Sequence, residues 1–339
     1  IAEMLHDIIP SAEMIKFGKH GSDATTAAVK LARAYTGRKY IARCSNDPFN
    51  AVHDWFIGST VVNRGIPEDV QKLTLQFNYN DLPSIQALFD QYPNQIAAFL
   101  LEPLSFIEPK DNFLSKLKEL CEKNGSDLIF DEVVSGFRFS LGGAQEMVGV
   151  LPHLSAFGKA MANGFSVSAL VGKKEIMKLA GIHHSEERVF LLSTTHGGET
   201  HSLAACRATI REIKEKNLIQ HFWKVGGALK NGIAKAAQAS GMQNYVATVG
   251  YDCKPGFSFK NDEGKPCMIA RTLFLQETIA RGLLIPYIVP SYAHDETIVQ
   301  QSLEIIYDAM VVMKKALDRG GYQTLLEGPV VKPVFRKMN

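Results

Sequence analysis

Residues 126–138 read SDLIFDEVVSGFR, and this stretch decides the fold. Leu128-Ile129-Phe130 is an apolar run of the length of a buried strand. It ends abruptly in two adjacent acids, Asp131 and Glu132. A buried strand can end on an acid for reasons of turn chemistry alone, or it can deliver one carboxylate to the floor of a pocket. The segments to either side repeat the pattern. IAAFLLEP (96–103) is a second wholly apolar run, and FLSKLKELCEKNG (113–125) between them is an amphipathic helix closed by Asn-Gly. Short apolar strands separated by helices predict an α/β fold with a mostly parallel sheet flanked by helices.

The same alternation extends towards the N-terminus. IAEMLHDIIPS is a short helix, AEMIKFGKHGSD a strand running into a glycine turn, and ATTAAVKLARAYTG a helix stopped by Gly37. KYIARCS is a strand and LPSIQALFDQYP a helix. Beyond TTHGGET the texture changes. A long helical stretch covers about 202–239, YVATVGYDCKPGFSFK suggests antiparallel strands, MIARTLFLQETIARG a helix, LLIPYIVPSY a strand and DETIVQQSLEIIYDAMVVMKKALDRG a long helix. The expected organisation is a large domain over 1–201, then an interdomain helix acting as a hinge and a small α+β domain over 202–339.

Composition narrows the class. The chain has 339 residues, 46% hydrophobic and 21% charged, with a formal net charge of +2, as for an ordinary globular protein without a nucleic-acid or membrane-surface partner. No apolar run reaches the ~18–20 residues of a membrane span. Five scattered cysteines without a C-x-x-C pair suit reduced thiols in the cytoplasm. The chain opens at Ile1 already in helical pattern, which suggests that an N-terminal segment is missing.

Two further features bear on chemistry. In HGSDATTAAVKLARAYTG (20–37), Gly21 permits a tight turn while Ser22 and Asp23 suit a helix start. A strand, a Gly-Ser turn and a helix N-terminus can gather backbone N–H groups around an anion, or can simply cap a core helix. No Gly-Lys-Ser/Thr follows, so this is not a Walker A loop. In LSAFGKAMANGFSVSALVG (154–172), Lys159 sits among Gly158, Ala160, Ala162 and Asn163-Gly164. Such small neighbours let an amine approach a flat group, although a solvated loop lysine has the same look; Lys173-Lys174 read as solvated. An anion cup, a strand-end acid and this lysine follow in order, and one cofactor uses all three: pyridoxal 5′-phosphate, through its phosphate, its pyridine nitrogen and its aldehyde. Asp131 is assigned to the nitrogen, Val133 to the face of the ring, and Glu132 to a structural role at the turn.

The segments HGSDATTAAVKLARAYTGR, FLLEP, IFDEVVSGFR, GGAQEMVGVLPHLSAFGKAMANG and TTHGGETHSLAA together resemble class III aminotransferases of fold type I, in the branch that holds glutamate-1-semialdehyde aminomutase. The resemblance runs through essentially the whole chain, down to SYAHDETI. It implies a Schiff-base and proton-shuttling role for Lys159, a pyridinium partner in Asp131, and phosphate contacts from Gly21 and Ser22. It also implies that Thr195 reaches the phosphate of the neighbouring subunit's cofactor, in a homodimer with a shared active site. Glu102 matches a family acid near the cofactor, or is a plain strand-end acid. Where the family shows an aromatic-His-Gly turn, this chain reads ARCSNDPFNAVHDWF. Phe49 is the candidate for stacking on the ring, or a loop-packing residue, and His53 is a second candidate. Asp23 stands where a glutamate is commoner.

The implied reaction moves an amino group from a small-molecule amino donor to a carbonyl acceptor. An aminomutase is the alternative within the family, and a non-catalytic binding module or inactive truncated chain the alternative outside it. The stretch before YNDL looks shorter and less flexible than a mutase lid, which favours transamination. No G-x-G-x-x-G follows a strand, so a dinucleotide enzyme is disfavoured. His183, His184, His196 and His201 match no familiar metal spacing. His196 and Glu199 suit either a polar substrate pocket or loop hydrogen bonding. Arg138 and Arg271 are the candidates for a substrate carboxylate. Trp55, Phe56 and Trp223 read as core.

Overall fold

The computed structural model describes residues 1–189 and 195–337. It divides into two compact units, 1–217 with the extreme C-terminus, and 218–336.

The first unit is built on a seven-stranded sheet. Its strands are β1 (Met14–Gly18), β2 (Tyr40–Cys44), β3 (Thr74–Phe77), β4 (Ile96–Leu101), β5 (Asp127–Asp131), β6 (Leu154–Phe157) and β7 (Ser168–Gly172), in the order β1-β7-β6-β5-β4-β2-β3. Pairing is parallel from β6 to β3. β7 runs antiparallel to both of its neighbours, β1 and β6. Every residue of β4 and β5 is buried, as their uniform apolar character requires for central strands covered on both faces. The helix Gly21–Thr36 packs on β6 and β7. Phe89, Phe113, Leu117 and Cys121, from helices Leu82–Gln91 and Phe113–Lys123, close the core with Phe99 and Phe130 of the sheet.

These local structures follow from their sequences. The Gly21–Thr36 helix carries Ala24, Ala27, Ala28, Leu31 and Ala32 on its buried side and stops at Gly37, which is left-handed at φ 67°. Asp81 caps Leu82–Gln91 by accepting the Ser84 N–H, with a proline in the first turn.

The second unit packs helices Leu218–Ala239, Met268–Ala280 and Glu296–Asp318 around the antiparallel pair β8 (Val246–Tyr251) and β9 (Lys254–Phe259). Two expectations are corrected. The helical stretch after TTHGGET is two helices, Thr200–Glu215 and Leu218–Ala239, because Asn217 turns left-handed at φ 49° and breaks the hydrogen-bond ladder. LLIPYIVPSY forms no strand. Pro286 and Pro290 each withhold the N–H that a ladder needs. Among the described residues, no helix is long and apolar enough to cross a membrane.

Candidate active site

The parallel strands β2, β4 and β5 end side by side, and each delivers a carboxyl just at or after its last residue. Asp131 closes β5 and is 3% exposed. Its Oδ1 accepts the Val133 N–H at 3.1 Å, and its Oδ2 accepts the Asn50 side-chain amide at 3.0 Å. Burial, reinforced by Glu102, pushes its carboxyl up to about 7, against the pull of those two donors and of Lys159. Val133 lies beyond the strand end, so the turn rather than strand alternation sets its place.

Glu132 faces a different task. It is fully buried, and its carboxylate accepts from the Ser135 hydroxyl, the Ala144 N–H at 2.9 Å and the Gln145 N–H at 2.8 Å. It fastens the 132–145 loop, the structural role read from the sequence. Burial raises its carboxyl while these donors hold it down.

The helix start lies against Val133. A Cβ on Gly21 would sit 2.7 Å from Val133 Cγ1, and one on Gly158 would sit 3.4 Å from the same methyl. Gly21, Val133 and Gly158 therefore bring the helix N-terminus, the Asp131 turn and the Lys159 turn together. Asp23 Oδ2 accepts the N–H groups of Lys19 and His20 at 3.0 and 2.8 Å, which anchors the turn ahead of the helix. Ser22 is buried, and its Oγ accepts the Val52 N–H at 3.1 Å, so the hydroxyl proton can still be donated. The Asp23 N–H donates to the His20 carbonyl at 3.0 Å, so the first-turn groups left for an anion are those of Gly21 and Ser22.

Lys159 opens a short 3-10 turn with a left-handed backbone, φ 44°, and its side chain is exposed. A non-glycine residue held there is strained, a feature that clusters at functional sites. Glu102 is 4% exposed, directly after β4. Phe49 is 41% exposed and stands edge-on to Phe56 with centroids 5.5 Å apart. His53 Nδ1 pairs with Thr26 Oγ1 at 2.9 Å. Thr195 lies in an exposed turn, while Ser193 and Thr194 of the same motif fall outside the described residues.

The turn at 195–199 is held by charge. Glu199 pairs with Lys19 Nζ at 2.6 Å and with His196 Nδ1 at 2.7 Å, and Lys19 also donates to Ser202 Oγ at 3.2 Å. The Lys19 hydrogen bond holds the Glu199 carboxyl below its ordinary value. Arg271 donates to the Pro286 carbonyl at 2.7 Å within the second unit, and Arg138 is half-buried in the turn after Glu132. Among the described residues, no three His, Cys, Asp or Glu side chains are arranged to hold a metal ion.

Two residues escaped the sequence reading. Asn50 is buried and bridges the loop after β2 to Asp131, and Asp47 is buried beside Glu102, whose N–H it accepts at 2.8 Å. Both lie in SNDPFN, whose composition announces a turn and nothing more.

The family model for class-III aminotransferases matches residues 1–288. The chain belongs to the class III aminotransferase family. It is 33% identical over 326 residues to a 3-aminobutyryl-CoA aminotransferase of Cloacimonas acidaminovorans, covering 94% of this chain and 75% of that one. It is 30% identical over 337 residues to a glutamate-1-semialdehyde 2,1-aminomutase of Aquifex aeolicus, covering 91% and 77%. Among solved structures, the FumI protein of Sphingopyxis sp. MTA144 in its PLP internal aldimine form aligns with a TM-score of 0.84 and 26% identity, over 96% of this chain and 77% of that one. An omega-transaminase from Sphaerobacter thermophilus shares the fold, with a TM-score of 0.80 at 22% identity, over 91% and 76% of the two chains. The chain is therefore an aminotransferase-family protein of fold type I, about three quarters the length of these relatives.

Pyridoxal phosphate is the cofactor that the family implies, and the residues present fit it. The helix start offers N–H groups and the Ser22 hydroxyl to a phosphate. Asp131 is a carboxyl whose burial would be relieved by a cationic ring nitrogen. Two buried polar atoms at this end of the sheet, Asn50 Oδ1 and Ser168 Oγ, have no hydrogen-bond partner among the described residues, as expected where a polar ligand or water completes the site.

Proposed function

We infer that this chain is a pyridoxal-phosphate-dependent transaminase that uses Lys159 and Asp131. The observation that carries the reading is the meeting of Gly21, Val133 and Gly158, which sets an anion-binding helix start, a buried carboxyl and a strained lysine around one spot. When bound, the cofactor supplies an aldehyde that captures amines and a cationic ring that draws negative charge from the reacting carbon.

The chain's own residues do the rest. Lys159 Nζ would hold the cofactor's aldehyde carbon. The same amine, when free, would accept and return a proton at the donor carbon. Asp131 keeps the ring nitrogen protonated, and Asn50 and the Val133 N–H hold its carboxylate in place. Gly21 and Ser22 bind the phosphate. Phe49 covers the ring, Glu102 supports it, and Thr195 reaches the phosphate of a neighbouring subunit in a homodimer. The substrates are a small-molecule amino donor and a carbonyl acceptor. Cys44, Cys121, Cys206 and Cys253 are buried and form no disulfide among the described residues, which supports a cytoplasmic setting.

The test is an absorbance spectrum of the purified protein with pyridoxal phosphate, before and after borohydride. A visible band that borohydride fixes on Lys159, absent in Lys159→Ala, supports the reading. Normal turnover by Lys159→Ala sinks it. A mutase is the second reading, favoured by relatives that carry that name at similar identity. Turnover of a single substrate without an added acceptor would select it.

A further inference from the structure

The helix start at Gly21 and the turn that carries Thr195 are far apart in the sequence, and one residue joins them. Lys19 lies in the short link between β1, which ends at Gly18, and the helix that begins at Gly21. Its polar groups go to three different segments. Its N–H donates to Asp23 Oδ2 of the helix start at 3.0 Å. Its carbonyl accepts from Ser166 Oγ, in the loop that follows the Lys159 turn, at 3.2 Å. Its ammonium reaches Glu199 Oε2 at 2.6 Å and Ser202 Oγ at 3.2 Å, at the start of helix Thr200–Glu215. That helix packs on the Lys159 turn.

Glu199 in turn closes the segment that carries Thr195. Its N–H donates to the His196 carbonyl at 3.3 Å, and its carboxylate pairs with His196 Nδ1 at 2.7 Å and His201 Nε2 at 3.4 Å. His196 directly follows Thr195, so the grip of Glu199 falls one residue away from it. An ion pair on open surface contributes little, because water screens it and two long side chains lose freedom. This pair has a different setting. The Lys19 and Glu199 side chains are only 15% and 29% exposed, and the Lys19 backbone is fixed on both sides. The bond therefore acts on the relative placement of two segments 180 positions apart.

Building on the roles inferred above for Gly21, Ser22 and Thr195, we propose that Lys19 and Glu199 are positioning residues that hold the Thr195 turn in register with the Gly21 helix start. Gly21 and Ser22 serve the phosphate of one subunit's cofactor and Thr195 that of its neighbour, so the pair ties the two phosphate sites of the dimer together. It acts through Thr195 and not on the phosphate itself.

A direct effect of charge predicts the opposite sign at Glu199. Deleting an anion near a phosphate site should tighten binding, whereas deleting a clamp should weaken it. Pyridoxal phosphate affinity is measured by titration on the full chain. Lys19→Met and Glu199→Ala should each bind about fivefold more weakly, the size expected for one lost hydrogen bond. In a Thr195→Ala background, Glu199→Ala should cost less than about twofold more, since its effect passes through Thr195. A second measurement needs no cofactor. The backbone amides of 195–201 should exchange with deuterium at least about fivefold faster in Glu199→Ala, with those of Ala144 and Gln145 unchanged. Binding by Glu199→Ala equal to or tighter than wild type, full additivity with Thr195→Ala, or unaltered exchange at 195–201 would each overturn the proposal. If Thr195→Ala binds as tightly as wild type, the role of Thr195 fails instead, and the exchange result still judges the pair.

Discussion

Gly21 and Val133 touch so closely that a Cβ at position 21 would lie 2.7 and 2.9 Å from the two Val133 methyls. The helix that offers its N-terminus and the turn that carries Asp131 share one contact, and only a residue without a side chain permits it. Gly21→Ala should therefore cost about 1–3 kcal/mol, the usual range for overpacking a core. Denaturant titration of Gly21→Ala, Val133→Ala and the double variant would measure the coupling. The double variant should recover part of the loss, with an interaction of at least ~0.5 kcal/mol. Strict additivity would show that the contact is not strained.

Asp131 and Glu132 are sequence neighbours with opposite consequences. Glu132 takes donors from Ser135, Ala144 and Gln145 of its own loop, so removing its carboxylate leaves the Ala144 and Gln145 N–H groups buried without acceptors. Glu132→Ala should lose about 3–5 kcal/mol of folding stability and Glu132→Gln about 1–3 kcal/mol, since the amide can still accept on one oxygen. Equilibrium unfolding in urea checks both, and a loss below ~1 kcal/mol for Glu132→Ala would contradict the role drawn for it.

How much of this was legible in the sequence depends on whether the signal was local. The central strands announced themselves because full burial demands unbroken apolar runs, as in Ile96–Leu101. The Gly21 helix start and the small residues around Lys159 were equally plain, because backbone closeness leaves its mark in glycine and alanine. Asn50 left no such mark, since its bond to Asp131 joins residues 81 positions apart and SNDPFN looks like any polar turn. The reversed direction of β7 was equally hidden, since strand direction depends on the path of the connection and not on the residues of the strand. LLIPYIVPSY failed as a strand because apolar content outweighed two prolines in the reading, whereas in the chain each proline removes a donor. The break at Asn217 was missed because asparagine in a polar helix is unremarkable until its backbone turns left-handed.

His153 should behave as a neutral ring throughout the physiological range. Burial first, then Lys173, pushes its pKa down to about 4, and its Nδ1 accepts the Leu128 N–H at 2.8 Å, so the ring proton is on Nε2. Because the folded value lies below the unfolded ~6.5, this residue stabilises the fold above pH ~6.5, and that contribution is lost as pH falls through 4. NMR of the histidine ring nitrogens should report an Nε2–H tautomer that does not titrate between pH 8 and 5. A midpoint near 6.5 would refute it.

Asp127, at the opposite end of β5 from Asp131, sets the reverse trend. It is buried, its Oδ2 has no partner among the described residues, and burial lifts its carboxyl to about 7 despite Lys173 and Arg38. A raised acid binds its proton more tightly in the folded chain. It therefore contributes stability that is complete below pH ~3.9 and is lost as pH rises through 7. Asp127→Asn removes this penalty, so at pH 8 the variant should be more stable than wild type, by at most about 2–4 kcal/mol for a shift of this size. At pH 4 the two should converge, because the wild-type residue is then protonated when folded. Unfolding free energies across pH 4–8 for both proteins decide it. A variant that is less stable at pH 8 would mean that the Asp127 charge is paired with Lys173 or Arg38 closely enough to outweigh its burial.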